Sequence, residues 1–263
     1  MIKMSEKELI RIEEGNIIQR FNNLLFLELS NWWKSKSWIS MALLWTVISP
    51  GFTLLTLIAV PEANLELGLT LFSLMLGFFT AIATVLSVQD SIIGEQRTET
   101  VSWLLSKPIT RQSFILVKFI SNSINLLIPI IIIPSMIAYL ELSLILSVEI
   151  PILPFMGAVA ILCLIQLFFI GFTIMMGTIQ DSPGSVAAAP IIYNFAQQFL
   201  ASIPFLVNFL PVTFILPPEG QNSIVVALIL GENVDIFLPL FSTITISILF
   251  VFLAIWLFQR QEL

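Results

Sequence analysis

Histidine is absent from this 263-residue chain, and cysteine occurs once, at Cys163. Without histidine there is no Ser-His-Asp triad, no Cys-His pair and no Cys/His zinc site, so a metal would have only carboxylate or backbone ligands. A lone cysteine inside an apolar run excludes an intrachain disulfide and argues against redox chemistry. Charge is scarce too: 11% of residues are Asp, Glu, Lys or Arg, against roughly a quarter in a soluble domain. A net charge of -6 argues against a dedicated nucleic-acid binder. The first 30 residues mix acids, bases and amides and hold no compact apolar stretch of the signal-peptide kind. Internal repeats and low-complexity tracts are not visible. A G-x-x-x-x-G-K-[ST] sequence is also missing, so this chain has no phosphate-cradling loop of its own.

What remains is apolar. The mean hydropathy is +1.00, and several uncharged stretches exceed the ~20 residues that a helix needs to cross a hydrocarbon core. The pattern predicts an all-α membrane protein with six transmembrane helices, forming a single domain over residues 1–263. Its parts are a cytoplasmic and interfacial stretch 1–37, a six-span bundle 38–258 and a tail 259–263. The spans are expected at Trp38 to Val60, about Leu67 to Val88, Phe119 to Leu140, between Glu149 and Asp181, between Asp181 and Pro211, and at Ile236 to Phe258. Pro129 and Pro134 predict a kink in the third, which neighbouring helices can tolerate. Gln180-Asp181-Ser182-Pro183-Gly184 reads as a tight hairpin between the fourth and fifth.

Residues Leu9 to Leu29 carry Ile17, Ile18, Phe21, Leu24 and Leu25 at helical spacing, so an N-terminal amphipathic helix along the membrane surface is expected. Trp32, Trp33, Lys34, Lys36 and Trp38 follow as the aromatic and basic marks of an interface. Between the fifth and sixth spans, Pro211 to Asp235 brackets the apolar stretch Ser223 to Leu230. Eight residues cannot span, so this stretch is a re-entrant or interfacial helix, or a loop packed on the bundle.

Orientation follows from the bases. Lys3, Lys7, Arg11, Arg20, Lys34 and Lys36 precede the first span, Arg97, Lys107, Arg111 and Lys118 surround the second-to-third connection, and Arg260 follows the sixth. Six spans put these regions on one side, cytoplasmic by the positive-inside rule, together with both termini. The opposite loops hold Glu62, Glu66, Glu141, Glu149, Glu219, Glu232 and Asp235 without a base.

The polar segment Ser91 to Arg111 is the least scaffold-like. As a helix it places Ile92, Ile93, Gln96, Thr100, Trp103 and Leu104 on one side and Glu95, Glu99 and Ser102 on another, before Pro108 stops it. A short amphipathic helix in that position offers a soluble partner an apolar anchor with a charged rim, or simply fixes register at the interface. Inside the spans, Asn122, Asn125, Gln166, Gln197 and Gln198 are candidates for a translocation path, or equally interhelical glue.

The run Ile93-Gly94-Glu95-x-x-Thr98-Glu99-Thr100-x-x-x-Leu104-Leu105-Ser106-Lys107-Pro108-Ile109-Thr110-Arg111, with Phe114 and Lys118 after it, resembles the intracellular signature of the permeases of type-2 ABC exporters. Leu27-Glu28-Leu29 and Ser35-Lys36-Ser37 resemble that family's N-terminal interfacial helix. Thr98-Glu99-Thr100 departs from it, since many relatives have a glycine before the threonine.

The resemblance implies an exporter half-transporter in the prokaryotic cytoplasmic membrane, in which two permease copies, as homo- or heterodimer, pair and each docks a separate P-loop ATPase. That partner would hold ATP and Mg, so this chain is not itself an enzyme and needs no cofactor. The 91–107 segment would be a cytoplasmic coupling helix, with Glu95, Arg97, Thr98, Glu99, Thr100, Trp103, Leu104, Leu105, Lys107, Pro108 and Arg111 meeting the ATPase. Two rival functions are a non-transporting anchor or sensor that docks the same ATPase, and an intramembrane enzyme, for which only Asp90 and Asp181, both at helix ends, are available.

Overall fold

The computed structural model describes residues 17–60, 64–97, 110–203, 205–216 and 222–260, and every regular element among them is helical. Helix α1, Ile17–Lys34, is amphipathic: Leu24 is buried while Ile18, Phe26 and Leu27 are exposed. It lies against α6 and the start of α2. Lys36, in the left-handed region at φ 59°, turns the chain into α2, Ser37–Ala59, and the Trp33 and Trp38 rings brace that turn with centroids 5.0 Å apart. The predicted N-terminal helix thus runs further than Leu29; its portion before Ile17 lies outside the described residues.

Among the described residues, five helices are long and apolar enough to cross a membrane: Ser37–Ala59, Leu65–Glu95, Arg111–Leu146, Ile152–Gly177 and Phe237–Gln259. Two of them are interrupted. The second consists of α3, Leu65–Leu74, a π-helical turn Met75–Phe79, α4, Thr80–Val88, and, after a turn, the short α5, Ile93–Arg97. The third consists of α6, Arg111–Leu127, a π-helical turn Ile128–Ile132 and α7, Ile133–Leu146. Pro129 explains the latter, because its missing N–H and its ring prevent an ordinary helical turn and a wider one absorbs the clash.

The third helix is much longer than the run Phe119 to Leu140. It begins at Arg111, with the Thr110 side chain capping the Ser113 N–H, and so contains Lys118. At its other end it carries Glu141 inside α7 rather than in a loop. A hydropathy window stops at these charges, whereas the helix continues because Lys118 has two carboxylate partners and Glu141 is only half-buried.

Helix α8, Ile152–Gly177, is the hub: it packs against α4, α6, α9, α10 and α11. Helix α9, Pro183–Leu200, capped by Ser182 with Pro183 in its first turn, occupies the place of the fifth run but covers only part of it. The chain beyond forms 3-10 turns Val207–Phe209 and Pro211–Phe214, then α10, Ile224–Leu230, started by a Ser223 cap and ended by Gly231 at φ 76°, a conformation that glycine accepts without cost. Val212, Phe214, Ile215, Val225 and Val226 are fully buried here. The Ser223 to Leu230 stretch is therefore a buried helix set between α3 and α8 rather than a loop packed on the bundle. Helix α11, Phe237–Gln259, closes the bundle, packed on α8 and α6, while much of its outer face is exposed.

Candidate functional site

At the end of the bundle where α6 begins, one buried cation gathers three parts of the chain. Lys118 Nζ donates to Glu28 Oε1 of α1 at 2.9 Å and to Glu95 Oε1 of α5, and it lies 5.7 Å from the Phe114 ring centroid. The lysine side chain is 7% exposed, the two carboxylates 29% and 22%. An ammonium in so apolar a setting is tolerable only because two carboxylates neutralise it, and each carboxylate would carry a desolvation cost without it. Glu95, read from sequence as a contact for a partner, is thus also bound within the chain.

The two arginines of the same region behave alike. Arg97 Nη2 donates to the Asp181 carbonyl at 3.2 Å, tying α5 to the hairpin after α8. Arg111 Nη1 donates to the Phe258 and Gln259 carbonyls at 3.2 and 3.0 Å, which satisfies the C-terminal end of α11 and places positive charge at the negative pole of its dipole. Glu28, Glu95, Arg97, Lys118 and Arg111 together lace α1, α5, α6, the 178–182 hairpin and α11 into one surface. Thr98, Glu99, Thr100, Trp103, Leu104, Leu105, Lys107 and Pro108 lie outside the described residues.

A second polar constellation lies near mid-depth, around the π-helical turn Met75–Phe79. Gln166 of α8 donates from Nε2 to Thr80 Oγ1 at 2.8 Å and to the Leu76 carbonyl at 3.3 Å, and its Oε1 accepts from Thr84 Oγ1 at 2.8 Å. From α9, Asn194 Nδ2 donates to the Phe78 carbonyl at 3.2 Å. Asn194 Oδ1 accepts from Gln197 Nε2 at 2.9 Å, and Gln197 Oε1 accepts the Val212 N–H at 3.1 Å. A π turn disturbs the regular carbonyl ladder, and here amides from two other helices engage its carbonyls.

Gly77 sits in the same turn because the 211–216 segment reaches it: a Cβ there would collide with Ile215 Cγ2. Gly77 is twelve residues beyond Leu65, about 18 Å along a helix and so near the middle of a ~30 Å core.

Of the amides singled out in the sequence, Gln166 and Gln197 are thus brought to one turn and spend their hydrogen bonds inside the fold. Asn122 donates from Nδ2 to the Lys118 carbonyl at 2.7 Å, Asn125 is buried on the same helix, and Gln198 is half-buried beside Gln197. Thr80, Thr84 and Asn194 escaped the sequence reading. Asn194 was within reach of it: Val186, Pro190, Asn194 and Gln197 recur at steps of four, four and three, the spacing of one helix face.

The fold and these two constellations are those of a membrane protein whose polar contacts serve packing between helices and a laced surface at one end. Comparison with curated proteins returns no match. The family model described as ABC-2 family transporter protein matches residues 52–263, taking in the C-terminal third of α2 and every described helix after it. The chain is a permease of the ABC-2 family, an integral membrane component of an ABC transporter and not itself its catalytic part.

Proposed function

We propose that this permease is the translocating subunit of an ATP-driven exporter, and that α1 and the 91–107 segment seat on a separate P-loop ATPase whose closure moves α6. The observation that carries this reading is the Lys118 cluster. One buried cation holds Glu28 of α1, Glu95 of the docking segment and the shaft of α6, so displacement of either docking element pulls directly on a spanning helix. A two-state rearrangement in the ATPase then becomes a rigid-body shift of the bundle. Arg97 extends the same coupling to the 178–182 hairpin, and Arg111 to α11. Glu99, Trp103, Leu104, Leu105 and Lys107 supply contacts to the ATPase, which holds ATP and Mg.

On this reading the chain crosses six times, with α9 as the fifth span. Helix α9 falls below the apolar threshold of the other five because its buried face carries Asn194 and Gln197. Both termini and the Lys118 cluster are cytoplasmic, in a prokaryotic cytoplasmic membrane. Residues 211–216 and α10 re-enter from the outer side, in keeping with Ile215 against mid-depth Gly77. Two permease copies pair around a path bordered by Asn122, Asn125 and Gln198, its wall held by Gln166 and Gln197.

The test pairs association with flux. Glu99→Lys together with Glu95→Lys abolishes co-purification of the ATPase, and Glu99→Lys alone, which leaves the Lys118 cluster whole, weakens it. ATP-dependent movement of substrate in inverted vesicles is lost in parallel. Undiminished pairing in the double variant overturns the proposed dock; pairing without any flux in the parent protein makes the chain an anchor rather than a transporter.

A further inference from the structure

An apolar groove of about 640 Å³ runs between α6, α8 and α11, and nothing in the proposed transport cycle uses it. Its walls are hydrocarbon throughout, from Leu116 and Ile120 on α6, Leu164 and Leu167 on α8, and Ile248 and Phe252 on α11; Ser247 turns its hydroxyl to the Thr243 carbonyl. Along α11 it extends from Ile244 to Ile255, eleven residues or about 16 Å, which is the depth of one leaflet of a ~30 Å core.

Beyond the groove, toward the α11 C-terminus, the surface becomes polar and basic. Phe252 on the wall, then Trp256, then Arg260 follow one another at i+4 spacing, and the Arg260 guanidinium lies 3.9 Å over the Trp256 ring. Gln112 and Gln259 are exposed at the ends of the two flanking helices, and Arg111 sits across the gap between them on the Phe258 and Gln259 carbonyls.

We propose that this groove is a binding site for an anionic phospholipid of the leaflet at the α11 C-terminus, one acyl chain lying along Ile248 and Phe252 and the phosphate meeting Arg260. The inference rests on the chain being a membrane permease and not on the ATPase dock. A one-leaflet apolar channel fits a single acyl chain, and the aromatic and guanidinium pair at its end fits the junction of tail and phosphate. A second copy of the chain would need a protruding apolar ridge of matching length and would leave the basic surface beyond the groove without an anion.

The experiment is native mass spectrometry of the whole delipidated chain in detergent, titrated with dioleoylphosphatidylglycerol or dioleoylphosphatidylcholine. One phosphatidylglycerol per chain should bind more tightly than phosphatidylcholine. Ile248→Trp, at a position already 65% exposed and so tolerant of substitution, should remove both adducts without lowering Tm, and Leu164→Phe from the facing wall should do the same. Arg260→Gln should weaken phosphatidylglycerol about fivefold, the worth of one interfacial cation, and leave phosphatidylcholine unchanged. Adducts that survive both wall variants overturn the site. So does an interchain disulfide formed by Ile248→Cys in a Cys163→Ser background, which would put a second copy in the groove.

Discussion

Replacing Lys118 by methionine keeps the length and apolar stem of the side chain and removes only the charge. Glu28 and Glu95 would then face each other without the cation that neutralises both. Breaking a fully buried ion pair by removing one partner costs 3–5 kcal/mol. The carboxylates here keep 29% and 22% exposure, so water screens part of the loss, and about 2–3 kcal/mol is the expected effect. At about 2–4 °C per kcal/mol for a chain of this size class, Tm in detergent should fall by roughly 5–10 °C. The decisive comparison is the triple variant Glu28→Gln, Glu95→Gln, Lys118→Met. It leaves no buried charge, so its stability should return to within about 1 kcal/mol of the parent, a non-additivity that only interacting groups produce. If Lys118→Met melts with the parent, or the triple variant is no better than the single, the cluster does not hold α1, α5 and α6 together and the coupling argument loses its basis.

Gly77→Val should destabilise by about 1–3 kcal/mol through overpacking against buried Ile215, and Ile215→Ala should restore much of that in the double variant; equal loss in both backgrounds would refute the contact. Gln166→Leu removes the hydrogen bonds to Thr80, Thr84 and the Leu76 carbonyl and should cost about 1–2 kcal/mol, read as a lower Tm, whereas Asn122→Ala, whose bond is local to its own helix, should cost less. Arg111→Gln should release the α11 C-terminus, seen as faster amide exchange around Phe258 with the centre of α11 unchanged. Single cysteines at Asn233 and Ser35 should label from opposite sides of sealed vesicles; labelling from one side breaks the six-span topology.

The helical class and most spans were legible because each depends on a local property, a long apolar run. The basic residues gave an orientation for the same reason: a loop's charge is read one loop at a time. Lys118 shows where local reading stops. A charge at the edge of an apolar run looks like the end of a span, and its removal from water makes sense only once Glu28 and Glu95, 90 and 23 residues away, are known to surround it. The π turn at Met75–Phe79 is a similar case: Pro129 announces its counterpart in the third helix, whereas here Gly77 is the sole hint. The docking segment is a further case: Glu95, Arg97 and Arg111, read as contacts for a partner, are also bonded within the chain, which no local pattern could show.

Those internal bonds bear on how coupling can work. Had the charges of the 91–111 region pointed only to a partner, force on them would reach the bundle through a loop that can bend. Bonded to Lys118, which also holds Glu28 of α1, to the 178–182 hairpin and to the end of α11, Glu95, Arg97 and Arg111 make this end of the bundle a braced plate on which a push at one point is shared by several helices. At mid-depth the π turn with Gln166 and Asn194 provides the opposite property, a place where one spanning helix departs from regular geometry while amides from two others hold it. A braced end and a deformable middle mean that an end displacement is taken up at the π turn rather than at the plate. Weakening the plate by Lys118→Met should therefore reduce transport per ATP hydrolysed, whereas weakening the turn by Gln166→Leu should alter transport without uncoupling the ATPase. Equal uncoupling by both variants would show that the two regions move as one body.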